Sequence, residues 1–396
     1  MAIKIIPKTI VIIGAGFAGI SAYRTLLKRT NSRSVRIIVI NDSNHFLFSP
    51  LLHEVATAGI PMQDAAQGLH ELIKSKNSKF ICAFVSRIDN NNHRVETNIG
   101  NIEYDQLIIT AGAKSSKNGN TEMQDKTYTL KTLSDALAIR RRVISDLEQL
   151  ILPNTENNNI HYVIFGGGPT GVELAAEIAD VFRGTSAKVT LLHNKQRLIQ
   201  SLHPSLSAKA LYKLVKMGVD VRLNYSDDNA RPTGSCVIWT GGVVPATIQT
   251  TTPMAVHVSG RIKTDQFLRI AGSSCEWAAG DIAAVSDGYG GIVPMTAQAA
   301  VKAGKAVGEN ISMVLRSQSP KPFIFRKKGD LLSLGKWYAI GEIWGIRISG
   351  RFSWWVWRTI YLFNIVSWSK RIRVAVSWTL NIFMPRDIAE PKLLHR

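Results

Sequence analysis

Two glycine runs constrain this chain more than any other feature. The first, Gly14-Ala15-Gly16-Phe17-Ala18-Gly19, follows the apolar stretch Thr9 to Ile13 and leads into a helical pattern from Ile20 to Lys28. Strand, tight turn and helix must therefore succeed one another within a few residues. Such a turn uses one glycine to reverse the backbone, one to let a pyrophosphate approach it, and one to let helix pack on strand. The helix N-terminus then offers unpaired N–H groups and the positive end of its dipole to the phosphates. The second run, Gly166-Gly167-Gly168-Pro169-Thr170-Gly171, follows Tyr162 to Phe165 and precedes a helix that reaches about Phe182. A second strand comes after each run, Val35 to Ile40 and Lys188 to Leu192. One run alone is weak evidence, because any glycine-rich turn can produce it. Two, both in strand-turn-helix context, predict two dinucleotide-binding domains of parallel α/β type.

With 396 residues, 45% apolar and 19% charged, the chain can bury an ample core and has no need of disulfides or metals to fold. Cys82, Cys236 and Cys275 form no CxxC pair, so no metal site and no redox disulfide is expected, and a reducing compartment is. The net charge of +19 favours a polyanionic partner, nucleic acid or an anionic membrane. Residues 326–396 decide between them: they hold 13 Lys and Arg against 4 Asp and Glu, and seven of the nine tryptophans. Indoles interleaved with cations suit a lipid headgroup layer. A duplex-binding face has no use for so many indoles, so no nucleic-acid partner is expected. The most apolar stretch, Phe352 to Ser369, is interrupted by Arg358 and Asn364, so a membrane span is not expected. The segment Met1 to Thr9 is too short and polar for a signal peptide.

Two nucleotide domains in one chain point to FAD in the first and a nicotinamide dinucleotide in the second. Tyr104 to Gly112 reads as a strand closing on a small-residue turn, Val237 to Gly242 repeats that pattern, and Trp277-Ala278-Ala279-Gly280-Asp281 places a carboxylate where it can hold a flavin ribityl hydroxyl. On these residues the chain resembles the type II NADH:quinone oxidoreductases over nearly its whole length. Asn44 to Ala56 resembles that family's segment after the FAD ribose site. Pro294-Met295-Thr296-Ala297-Gln298-Ala299-Ala300 resembles its quinone-site motif, and Gly329 to Gly335 with the basic, Trp-rich tail resembles its C-terminal membrane segment.

The resemblance implies an α/β fold with two Rossmann-like dinucleotide-binding domains, of glutathione-reductase-like flavoprotein type, plus a C-terminal amphipathic helical membrane-docking segment. The expected boundaries are 1–113 with 264–325 for the FAD domain, 114–263 for the NAD(P)H domain and 326–396 for the docking segment. It implies non-covalent FAD, NADH or NADPH as co-substrate, and a membrane quinone as electron acceptor, reduced without proton pumping. Disulfide reductases and sulfide:quinone reductases of this fold work through thiols beside the flavin, which the scattered cysteines do not provide.

By the same resemblance FAD contacts fall on Gly14, Gly16, Phe17, Ala18, Gly19, Asn41, Asp42, Thr110, Ala111, Gly112, Gly280, Asp281, Ala297 and Gln298. Those to NAD(P)H fall on Gly166, Gly168, Pro169, Thr170, Gly171, His193, Asn194 and Gly241. Asn41 aligns with the family's ribose acid, and Asp42 beside it is preferred because a carboxylate accepts two hydroxyl bonds. Glu173 is implied to face the quinone side of the flavin and to relay protons, although a carboxylate in a first helical turn also favours the helix dipole. Gln298 can donate an amide N–H to a quinone carbonyl, and Lys328 can add positive charge. Two positions depart from the family pattern. Lys302 replaces the second glutamine of the quinone motif, and His193-Asn194 replaces the acid that binds the nicotinamide-side ribose 2′-OH. Losing that carboxylate removes its repulsion of a 2′-phosphate, and Lys195 and Arg197 follow it, so NADPH should be tolerated.

In the tail, Trp354, Trp357, Tyr361, Ile365 and Trp368 fall on one helical face, and Ile372, Val376, Leu380 and Phe383 on another, with Lys370, Arg371 and Arg373 between. These spacings predict two amphipathic helices lying on an anionic membrane, hence a peripheral, monotopic location, expected at the cytoplasmic face. A homodimer is left open. The rival reading is an NADPH-dependent biosynthetic quinone reductase resembling the demethylphylloquinone reductases.

Overall fold

The computed structural model describes residues 6–116, 127–151, 159–225 and 235–383. The chain forms two compact units, one from Met1–Phe46, Gln67–Lys114 and Val243–Lys327, the other from Leu47–Ala66, Ser115–Gly242 and Lys328–Arg396. Residues 47–66 thus group with the second glycine run, and residues 243–263 with the first.

The first unit is built on a five-stranded parallel sheet, in the order Glu276–Ala278, Gln106–Ile109, Lys8–Ile13, Val35–Asn41, Ser78–Cys82. Its central strands read as unbroken apolar runs because both faces are covered. Ile10, Val11 and Ile12 are wholly buried, as are Ile37, Val39, Ile40 and Leu107 to Ile109. Helix Phe17–Arg29 leaves the first strand through the first glycine run. Helix Ala297–Val314 lies against it through glycines: a Cβ on Gly304 would sit 2.1 Å from the Ala18 carbonyl oxygen, and one on Gly308 2.8 Å from the Thr25 Cβ. Between the edge strand Glu276–Ala278 and the neighbouring segment Tyr104–Ile109, Tyr104 donates its hydroxyl to buried Glu276, and Trp277 Nε1 donates to Gln106 at 2.8 Å, so these buried polar groups are paired.

The second unit repeats the plan: Thr127–Thr129, Cys236–Trp239, His161–Phe165, Lys188–Leu192 and Val219–Arg222 form a parallel sheet in that order. Helix Pro169–Val181 follows the second glycine run. Helix Leu133–Ile151 carries Asp146, which is 1% exposed and accepts both Arg142 Nε at 2.8 Å and the Tyr162 hydroxyl at 2.7 Å. Beyond Lys328 the chain makes an antiparallel sheet of Gly329–Ser333, Ala339–Ile343 and Ile346–Gly350. Trp344 and Gly345, both at positive φ, form the two-residue turn between the last two strands.

Helices Arg351–Asn364 and Trp368–Phe383 complete this unit, and here one expectation is corrected. Most of the first predicted docking face points inward: Trp354, Trp357 and Ile365 are buried, and of that face Trp368 is exposed. The face is also discontinuous, because the helix stops at Asn364 and Ile365 takes an extended conformation. Periodicity shows that a helix has an apolar face but not which of two apolar faces the core claims. The outward residues are instead Phe352, Trp355, Phe363 and Trp368, together with Ile372, Val376 and Leu380 of the second predicted face. The Phe383 side chain and residues 384–396 lie outside the described residues. Arg373 pairs with Asp64 at 3.2 Å, Lys370 donates to the Gln63 carbonyl and Arg371 to those of Phe363 and Ile365, so all three predicted lipid-facing cations also hold the fold. Among the described residues no helix is long and apolar enough to cross a membrane.

Candidate active site

In the first unit, Gly14 sits at φ +92°, and a Cβ there would meet the Thr110 carbonyl oxygen at 2.4 Å. Thr110 Oγ1 donates to the Ile13 and Gly14 carbonyls, both at 2.8 Å, and so ties the turn to the neighbouring strand end. A Cβ on Gly19 would fall on the Gly14 carbonyl oxygen, so only glycine lets the helix pack hard against the turn. Gly16, by contrast, has open space where a Cβ would be, and no side chain caps the helix it begins. The result is an open cradle ending on unpaired N–H groups. Asn41 Oδ1 accepts the Ala15 N–H at 2.8 Å while its amide donates to Ser43, and Asp42 beside it is exposed. Gly280, at φ +79°, lies against Ala18 and Ala300, so the Gly280-Asp281 turn, the fingerprint helix and the start of helix Ala297–Val314 converge. That last helix begins at Ala297 and Gln298, with Thr296 Oγ1 accepting the Ala299 N–H. Lys302, one turn on, donates to the Arg326 carbonyl and lies 5.1 Å from the Phe325 ring centroid.

The second unit builds the same device from different residues. Gly166 is at φ +112°, and Thr240 Oγ1 donates to the Phe165 and Gly166 carbonyls at 2.8 and 3.1 Å. Thr240 is therefore the counterpart of Thr110, and the sequence reading, which stopped at Gly241, missed it. Its signal was present in the repeated Thr-before-glycine pattern at the two strand ends. Gly168 is open and begins an uncapped helix with Pro169 in its first turn and Thr170 next to it. His193 Nδ1 accepts the Gly167 N–H at 3.1 Å. Burial holds the imidazole below its ordinary pKa, with Lys195 adding to the effect against an opposing hydrogen bond that the ring donates to the Arg197 backbone. Asn194 and Lys195 are exposed. Arg197 is committed to its own loop, donating to the Leu202 and Gln200 carbonyls and to Ser207 Oγ.

Glu173 lies in the second turn of helix Pro169–Val181 and is buried. Its Oε1 accepts the Ser333 N–H at 3.3 Å, and its Oε2 is 3.8 Å from His53 Nδ1. Burial pushes the Glu173 carboxyl well above the usual carboxylate range; the Ser333 N–H opposes this, and Glu54 and Glu177 reinforce it. Both neighbours are buried too: Glu54 accepts Trp378 Nε1–H at 2.7 Å, and Glu177 Oε2 is 3.5 Å from Thr57 Oγ1. Arg358 stacks over Trp354 at 3.6 Å and donates to the Trp378 carbonyl at 3.1 Å. Burial brings its guanidinium down to about 10, against the pull of Glu54 and Glu177. His53, Glu54, Glu177 and Arg358 were not singled out from the sequence. Only Glu177, one helical turn from Glu173, carried a readable signal. Lys328 is exposed, its carbonyl accepting the Trp344 N–H at the edge of the antiparallel sheet. No group of three or more His, Cys, Asp or Glu side chains among the described residues could hold a metal ion.

Residues 8–304 match the family described as pyridine nucleotide-disulphide oxidoreductase, and residues 328–387 match the NDH2 C-terminal domain. The chain is 29% identical to the type II NADH:quinone oxidoreductase Ndh of Mycobacterium tuberculosis, over 95% of this chain and 88% of that one. It is 26% identical to the demethylphylloquinone reductase NdbB of a Synechocystis strain, over 93% of this chain and 95% of that one. Its fold matches the solved structure of NDH2 from Plasmodium falciparum in complex with NADH, with a TM-score of 0.88 at 18% identity, covering 97% of this chain and 100% of that one.

Proposed function

Since the chain belongs to the pyridine nucleotide-disulphide oxidoreductase family, in its type II NADH dehydrogenase branch, we propose that it oxidises NAD(P)H and reduces a membrane quinone by way of non-covalent FAD. The observation that carries this reading is the duplicated cradle: two glycine loops, each closed by a threonine and each ending on an uncapped helix N-terminus, one per unit. The open positions at Gly16 and Gly168 suit pyrophosphates, which is the fit that FAD and NAD(P)H require. Gly14 to Gly19, Thr110 to Gly112, Asp42 and Asp281 hold the flavin dinucleotide in this reading, and Gly166 to Gly171, Gly241, His193 and Asn194 hold the nicotinamide dinucleotide. Held there, FAD would supply the two-electron redox chemistry that links hydride from nicotinamide to reduction of a quinone.

The chain's own residues then orient groups and manage protons. Thr110 and Thr240 fix the loops against the sheets. Glu173, kept protonated by its burial, is the proton donor of the reaction. Gln298 donates an amide N–H to a quinone carbonyl, with Lys302 and Lys328 supplying positive charge. The exposed apolar residues Phe352, Trp355, Phe363 and Trp368, in a tail rich in Lys and Arg, dock the protein on an anionic membrane, at the cytoplasmic face in this reading.

The biosynthetic alternative, a demethylphylloquinone-type reductase using NADPH, is favoured by one feature, the absence of a carboxylate at His193-Asn194. Both readings require flavin and quinone. Absorbance-monitored oxidation of NADH and of NADPH with a short-chain quinone tests them together. A yellow protein active with quinone is expected. A colourless protein that gains no activity when FAD is added refutes the proposal.

A further inference from the structure

Arg261 stands in the first unit, just before the short strand Ile262–Lys263, and is only 9% exposed. A guanidinium stays charged at any working pH, so it is taken out of water only where its N–H groups and its charge both find partners. Its Nη1 donates to the Val293 carbonyl at 2.9 Å and, at the longer distance of 3.5 Å, to the Ala283 carbonyl, while its Nε donates to Ser259 Oγ at 3.1 Å. Burial lowers its pKa, and among the described residues Asp281 is the carboxylate whose charge opposes that shift.

The two carbonyls belong to two segments of the flavin cradle. Ala283 comes two residues after Asp281, and its N–H closes the Gly280-Asp281 turn by donating to the Gly280 carbonyl at 3.0 Å. Val293 comes four residues before Ala297, where helix Ala297–Val314 begins. The backbone bonds Ile262 N–H to Ile282 and Val293 N–H to Val285, both at 2.9 Å, bring the three segments together, and the guanidinium fork locks them. Because the fork is planar and rigid, it fixes both carbonyls with less rotational freedom than an ammonium group would leave. Its charge has a second effect. Asp281 is partly buried, and two-electron reduction of a flavin adds negative charge, which a carboxylate in a poorly solvated site opposes. A buried cation acting on that carboxylate offsets the opposition.

We propose that Arg261 is a positioning residue of the flavin site: by tying the Asp281 turn to the segment that leads into helix Ala297–Val314, and by offsetting the Asp281 charge, it makes bound FAD both tighter and easier to reduce. The idea rests on FAD occupying the first glycine loop. Arg261 acts through Asp281 and the Val293 and Ala283 carbonyls, and touches no substrate in this role.

The test uses the full-length holoenzyme and two readouts: FAD released on dilution, followed by flavin fluorescence, and the two-electron midpoint potential of the bound flavin, measured by equilibration with a redox dye. Arg261→Met keeps most of the side-chain volume and removes the donors and the charge. FAD should dissociate at least about tenfold more readily, the scale of one charge-assisted hydrogen bond. The potential of the flavin that remains should fall, by about 30 mV for each tenfold loss of preference for the reduced form. Arg261→Lys keeps the charge without the fork, so it should hold the wild-type potential while binding FAD less tightly. Ser259→Ala, which removes only the Nε bond, should weaken FAD retention by a smaller factor, and these two milder changes carry the test if Arg261→Met does not fold. A Met variant that loosens FAD but leaves the potential unchanged overturns the proposal, as does a Lys variant that retains FAD as wild type does. A wild-type chain that neither contains nor takes up FAD refutes the assignment of flavin to the first loop instead.

Discussion

His193 occupies at the second loop the place that Asn41 occupies at the first: Asn41 ends its strand, His193 directly follows its own, and each accepts an N–H from the residue after the turn-forming glycine. A side chain already engaged in this way, and held neutral by burial, offers a ribose no negative charge. NADPH should therefore be used at least comparably to NADH, although Arg197, tied into its own loop, adds less to a 2′-phosphate site than its position in the sequence implied. Replacing His193 with Glu should shift the ratio of kcat/KM values toward NADH by about 1–2 kcal/mol, the scale of one charge-assisted hydrogen bond. Wild-type rejection of NADPH would refute the argument. Glu173 makes a prediction about stability. Its folded pKa lies above the ordinary value of 4.5, so the native state holds a proton that the unfolded chain releases, and stability falls as pH rises through that interval. Glu173→Gln should remove this decline, leaving a flatter profile of denaturation midpoint against pH.

At the scale of elements, the two threonines that close the glycine loops can be separated by their effects. Thr240→Val removes two hydrogen bonds to the second loop. It should cost about 1–3 kcal/mol in loop stability and raise KM for NAD(P)H, while flavin content, which depends on the other unit's loop, stays at the wild-type level. Equal loss of flavin would contradict the assignment of one dinucleotide to each loop. The tail helices behave as core on one side and surface on the other. Deleting residues 351–396 would expose Glu54 and strip away Trp354, Trp357 and Trp378, so truncation should destabilise the second unit as well as release it from membranes. The cleaner test of docking is Trp355→Ser with Phe363→Ser, both on the exposed side. These changes should weaken binding to anionic vesicles while shifting stability by no more than about 0.5 kcal/mol each, as surface substitutions do.

For the whole molecule, a charge of +19 should make vesicle binding fall as salt rises, and co-sedimentation across an ionic-strength series measures it. Salt-sensitive binding to duplex DNA without vesicle binding would place the charge with a different partner. Much of the architecture could be read directly from the chain, because its signals are local. Unbroken Ile and Val runs mark strands buried on both faces, and glycines at fixed offsets mark turns that no side chain can enter, so both parallel sheets and both glycine loops were legible. Folding alone decided which apolar face of the Trp354 to Trp368 stretch turned inward, since both faces are apolar and the choice depends on what stands opposite. It also brought His53 and Glu54, far upstream, beside Glu173, Glu177 and Arg358. Sequence carries periodicity and turn chemistry, which act over a few residues, whereas a buried cluster of charges exists only once distant segments share one volume from which water has been excluded.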